Sequence, residues 1–292
     1  MACRNCSSAE QQMEKQFRIA KGNWRDFYLE LRNVLEIARG WGKLIEPIER
    51  PWLCWNVEPR WCLLQQKLVS RAGWTPVVGY DPRFDIPPVI DDAVLVNFNE
   101  RLRLPTLRPM FVVEFAYLFA RRLAFWHSDL LLDERRMRHY AEMFAGLEDG
   151  EVAAVYSRGG GLRRFVPGLH RYWELLGCTT RAASQHQFDV GCGWWHHFYD
   201  HPNFSRRLLI KHGRWDYGYG IAYWARNFAG SAKRIRPREI RDGHFTRIGR
   251  RASYVAAEEN NWFRNLSMDL RVNFCLSDCA RQLGIEQLLE TE

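Results

Sequence analysis

Arg121-Arg122-Leu123-Ala124-Phe125-Trp126-His127-Ser128-Asp129-Leu130-Leu131-Leu132 is the stretch that decides the fold. Leu123 to Trp126 is a short apolar run of the kind that forms a buried strand. It breaks off into a polar triplet, His127-Ser128-Asp129, before three leucines resume the apolar pattern. In open α/β sheets, polar groups at the mouth of such a strand face the crevice where ligands bind. The triplet is therefore the first candidate for chemistry.

Working upstream, the apolar positions Phe111, Val112, Phe115, Ala116, Leu118 and Phe119 are expected to form a largely buried helix opened by Pro109. Before it, Ala93 to Phe98 reads as a strand, and Asp81 to Asp92, with three prolines and four aspartates, reads as a loop. Thr75 to Tyr80 and Trp52 to Val57 are two further strands, separated by a helix that Pro59 can open and Gly73 closes. The order strand, helix, strand favours parallel pairing through a crossover. From the N-terminus to about Glu46, Phe17, Trp24, Phe27, Leu31, Val34, Leu35 and Ala38 recur at helical spacing, with Gly40 ending the pattern.

Downstream, Asp133 to Leu147 is expected as an amphipathic helix with Asp133 and Glu134 in its first turn, followed by a strand over Val152 to Tyr156. The basic, Gly-rich Ser157 to Gly168 matches neither the P-loop nor the dinucleotide fingerprint and reads as a loop over the pocket. Gly191-Cys192-Gly193-Trp194-Trp195 and Trp215-Asp216-Tyr217-Gly218-Tyr219-Gly220 lack clean periodicity and read as binding walls. The chain from about Arg251 reads as a helical tail. The expected organisation is a helical arm over residues 1–50, an α/β domain over 51–250 and a helical tail over 251–292.

Composition narrows the function classes. The chain has 292 residues, 47% hydrophobic and 26% charged, the balance of a globular protein with a core. No apolar run approaches the ~20 residues that cross a bilayer, and the N-terminus lacks a secretory apolar segment, so no membrane span and a cytoplasmic location are expected. The eight cysteines are scattered, which favours reduced thiols. Cys3 and Cys6 have no second pair at zinc-ribbon spacing. The net charge of +8 is dispersed in pairs such as Arg121-Arg122 and Arg206-Arg207, so nucleic acid is not the expected partner, whereas small anions such as nucleoside diphosphates are. Thirteen tryptophans offer faces for bases or sugar rings, although most are expected in the core.

A buried helix leading into a strand that ends in a short acidic motif resembles the GT-A glycosyltransferases, over roughly Pro51 to His244. The resemblance implies an α/β fold with a mainly parallel central sheet and helices on both faces, related to the Rossmann fold. It also implies transfer of a sugar from a nucleotide-diphosphate sugar to an acceptor, assisted by a divalent metal, Mn²⁺ or Mg²⁺. Asp129 matches the last carboxylate of the family's Asp-x-Asp motif, and His127 replaces the first. Imidazole suits Mn²⁺ or Zn²⁺ better than Mg²⁺. The resemblance further implies a late histidine ligand, here His244. It assigns Asn56, Glu58 and Ser128, with Tyr80, Asp81 and Arg83 bordering the same crevice, to the donor, and Asp189 or Asp216 to the role of general base.

Three other readings compete. The triplet could serve only to hydrogen-bond the loop after a core strand. His197 and His201, with His196 and Asp200, could form a second metal face, although the glutamate of HExxH is absent. The chain could also be a non-catalytic protein that binds a glycan or a partner on the same fold. No GxSxG elbow and no nucleophilic cysteine signature is present.

Overall fold

The computed structural model describes residues 31–56, 58–80, 86–98, 100–101, 116–158, 165–166, 170–194, 218–245 and 275–289. The expected helix at Pro109, most of the Gly-rich loop, and Asp81, Arg83, Trp195, His196, His197, Asp200, His201 and Asp216 lie outside them. So do the N-terminal arm before Leu31 and residues 251–274.

Seven strands form one mixed, mostly parallel sheet: β1 Pro51–Trp55, β2 Thr75–Tyr80, β3 Val94–Asn97, β4 Arg122–Trp126, β5 Glu151–Ser157, β6 Arg171–Thr180 and β7 Ser231–Ile235. Their order is β3-β2-β1-β4-β6-β5-β7. β3, β2, β1 and β4 run parallel, β6 is antiparallel to both β4 and β5, and β7 closes the edge parallel to β5.

The described helices are α1 Leu31–Ile45, α2 Pro59–Arg71, α3 Glu134–Ala145, α4 Arg181–Asp189, α5 Tyr219–Asn227 and α6 Leu276–Leu283. They cover both faces. Residues of α1, α4 and α5 share a core with Leu53, Val77, Phe125 and Ala154. Residues of α2, α3 and α6 pack against Trp52, Val78, Trp126 and Ala153 on the other side. α/β class and helices on both faces are thus as the sequence led one to expect. Among the described residues no helix is long and apolar enough to cross a membrane.

Local chemistry explains the elements that position the site. Glu58 caps α2 by accepting from Trp61 N–H at 3.0 Å, and Pro59 follows at the first helical position, where a missing N–H costs nothing. Asp133 caps α3 by accepting from Arg136 N–H at 2.7 Å. α1 runs through Gly40 instead of ending there, because Trp41 and Ile45 continue its buried stripe. Gly42 in that helix faces Phe119 so closely that a Cβ would lie 2.6 Å from the phenylalanine Cβ.

The core is dense in aromatics. Trp52 lies 5.4 Å from Trp74, 5.3 Å from Trp126 and 5.2 Å from Phe144, ring centre to ring centre. Burying a ring system of this size removes about 200 Å² from water, roughly 5 kcal/mol by area. Trp52, Trp61, Trp126 and Trp224 are fully buried and serve packing, as expected for most tryptophans here. Cys54, Cys62, Cys178, Cys192, Cys275 and Cys279 are unbridged thiols, in keeping with the scattered spacing. Burial pushes Cys62 up to about 12, which keeps it protonated and unreactive.

Candidate metal centre

Leu123 to Trp126 are at most 1% exposed, and β4, between β1 and β6, delivers the chain to the carboxyl end of the parallel strands. His127 N–H donates to Leu175 O of β6 at 3.0 Å, and Leu130 N–H turns back onto His127 O at 3.1 Å. The turn brings Leu130 into an antiparallel bridge with His244. Flanking bonds extend it: Leu131 N–H to Gly243 O at 3.0 Å, and Phe245 N–H to Asp129 O at 3.2 Å. This pairing carries the late histidine onto Asp129.

Three neighbours hold the pairing in place. Gly243 is required by space, because a Cβ there would fall 1.9 Å from Leu131 O. Gln65, fully buried on α2, donates from Nε2 to both His127 O and Leu130 O at 2.8 Å. Arg136 on α3 joins Asp133, Glu239 O and both carboxylate oxygens of Asp242, tying the segment before His244 to that helix. Behind it, Phe245 packs edge-on against Trp61 at 5.6 Å.

The three side chains converge. His244 Nε2 is 3.2 Å from Asp129 Oδ2, and His127 Nδ1 is 3.6 Å from Asp129 Oδ1. One ligand atom from each of His127, Asp129 and His244 lies within 4.8 Å of the other two, the single such group among the described residues. Burial would raise the Asp129 carboxyl, but the adjacent imidazoles, His244 first, hold it well below the usual carboxylate range. Exposure in the cluster is uneven: the His127 side chain is 34% exposed, against 6% for Asp129 and 7% for His244.

No family model matches the chain, and neither a curated protein nor a solved structure does. The chemistry of the site thus rests on its own donors. Two imidazoles and one carboxylate form a ligand set used for divalent transition metals, with coordination positions left for water or substrate oxygens. His244 Nε2, 3.2 Å from Asp129 Oδ2, is near enough for both groups to share one cation. Main-chain bonds and Gln65 also hold the loop.

The other candidates fall elsewhere. Ser128 lies in the turn between two of the trio. Asn56, 7% exposed, follows β1 and binds Gly79 O through its N–H at 2.9 Å, while its buried Oδ1 accepts no hydrogen bond. Tyr80 ends β2, half-buried, opposite Asn97. The Glu58 carboxylate caps α2 and also accepts from Arg60 at 3.2 Å, so its oxygens already serve the helix end. Asp189 sits exposed in the last turn of α4, accepting from Gln185 at 2.8 Å, and is not part of the trio. The sequence reading missed Gln65 and Arg136; both look like ordinary polar residues of amphipathic helices.

Proposed function

We propose that this chain is a GT-A-like glycosyltransferase that moves a sugar from a nucleotide-diphosphate donor, with a divalent cation held by His127, Asp129 and His244. The observation that carries the reading is the convergence of these three residues at the carboxyl end of β4, beside the point between β1 and β4 where the strand order reverses. Such switch points are where open α/β sheets bind ligands. The sheet order β3-β2-β1-β4-β6-β5-β7, with β6 reversed, supports the same reading.

A cation bound here would neutralise charge developing on the leaving diphosphate. The residues set its selectivity and its charge. One carboxylate and two neutral imidazoles carry a single negative charge, so a divalent ion leaves the site with a net positive charge facing the diphosphate. Imidazole ligands favour Mn²⁺ or Zn²⁺ over Mg²⁺. Buried Asp129 and His244 exclude water from the far side, and the more exposed His127 leaves the near side to substrate oxygens. Asn56, at the end of β1, offers an unused acceptor to the nucleoside.

Thermal unfolding with uridine or guanosine diphosphate and Mn²⁺ tests the reading. A rise in melting temperature that needs both ligands is expected. A rise that ignores metal favours the binding-protein alternative, and no rise with any nucleoside diphosphate rejects the transferase.

A further inference from the structure

β6 is antiparallel to β4 and β5, and β7 is parallel to β5, so β4, β5 and β7 all end at the same edge of the sheet. Ligand crevices of open α/β sheets lie outside that edge. There the β5–β6 ribbon reaches past the metal turn: His127 N–H meets Leu175 O of β6, whereas Tyr156 pairs with Tyr172, three residues nearer the start of β6. The tip of the ribbon carries a cluster that the metal centre does not use. The Arg234 guanidinium, near the end of β7, lies 4.2 Å from the centre of the Tyr156 ring. The Tyr156 hydroxyl shares a 2.7 Å hydrogen bond with His170 Nδ1, and the Tyr172 ring stands 5.0 Å from that of Tyr156. The Tyr172 hydroxyl donates to Ala232 O at 3.2 Å, which fixes it against β7.

We propose that Arg234 and the aromatic groups behind it form an oxyanion site for a phosphate group, separate from the metal centre. The planar fork of an arginine meets two phosphate oxygens at once, and its face stacks on an aromatic ring. Here Tyr156 orders the guanidinium before any ligand arrives, so binding loses less entropy. Among the described residues no carboxylate forms an ion pair with Arg234; Tyr172 first, and then Tyr156, favours its charged form. Other exposed arginines differ: Arg71, Arg101 and Arg281 each meet a carboxylate at 2.7 Å, 3.0 Å and 2.9 Å. Arg158, also exposed and without a carboxylate partner among the described residues, follows β5 directly. Two such cations at one strand end suit a dianionic phosphate better than a singly charged carboxylate.

Calorimetric titration of the full chain with inorganic phosphate tests the site, at physiological salt and with a chelator in place of metal. One phosphate per chain is expected, with acetate bound more weakly. Arg234→Met keeps an apolar stem over Tyr156 but loses the fork, and should weaken phosphate by at least about tenfold. Arg101→Met, outside the cluster, should leave the affinity unchanged. No saturable phosphate binding by wild type, acetate bound as tightly as phosphate, an effect of Arg101→Met as large as that of Arg234→Met, or equal affinity in Arg234→Met overturns the assignment. If Arg234→Met does not fold, Arg234→Lys, which keeps the charge without the fork, should fold and bind severalfold more weakly. A lysine variant that is unfolded, or that binds as wild type does, also overturns it. With neither metal nor sugar donor present, failure here leaves the transferase reading standing, and failure of that reading leaves this site standing.

Discussion

His244 Nε2 stands 3.2 Å from Asp129 Oδ2 because a backbone bridge between Leu130 and His244 ties two segments far apart in the chain. The contact is a product of topology. It needs β4 to end where it does, and it needs the stretch after β7 to return across the mouth of the sheet.

Gly243→Ala should disturb that return directly. The added methyl would meet Leu131 O at 1.9 Å, a backbone atom that cannot swing aside. A loss of about 1–3 kcal/mol in unfolding free energy is expected, together with weaker Mn²⁺ binding. Urea unfolding and metal titration of the variant check both. A variant as stable as wild type would show that the bridge is dispensable.

Gln65→Leu keeps the volume of the buried side chain but removes both hydrogen bonds to the turn carbonyls. Leu130 O loses its Gln65 donor and His127 O keeps only Leu130 N–H, which should cost about 1–3 kcal/mol. Loosening the support of the ligand turn should lower Mn²⁺ affinity by roughly 10- to 100-fold. Calorimetric titration of the purified variant measures the second effect, and unchanged affinity would remove Gln65 from the site.

The sequence and the structure agree wherever an element has a local signature. β1, α2, β2, β3, β4, α3 and β5 are legible from apolar runs, from Pro59 at a helix start and from Asp133 at a cap. β6 is not, because from Glu174 onwards it is buried on both faces and shows no alternation. Gly177, which breaks the apolar run, is there because a Cβ would meet Ala153 O at 2.4 Å and Phe125 at 2.6 Å. Within the site, the spacing of His127 and Asp129 was visible locally, and His244 came only through a resemblance. Gln65 acts across the fold through main-chain carbonyls, a role that leaves no pattern in its own neighbourhood. Glu58, an acidic residue at a strand end, also caps a helix, a role its place before Pro59 allows.

Acid should weaken the fold through Asp129. Burial raises its carboxyl, but the imidazoles of His244 and His127 lower it by more, so the folded value lies below that of the unfolded chain, about 3.9. A depressed carboxyl contributes stability above the unfolded value and loses it as pH falls through the folded one. Wild type and Asp129→Asn in metal-free buffer should therefore differ most above about pH 5 and converge towards strong acid. Melting curves from pH 2 to 7 read this out, and a gap that widens in acid would reverse the sign.

The most direct measurement is Mn²⁺ titration of the metal-free chain, followed by calorimetry and by electron paramagnetic resonance of the free ion. One ion per chain is expected for wild type, with affinity rising with pH as the ligands lose protons. His127→Ala, Asp129→Ala and His244→Ala should each lose that binding while remaining folded. Equal Mn²⁺ binding by wild type and all three variants, or none by wild type, would contradict the metal centre and with it the function proposed for the chain.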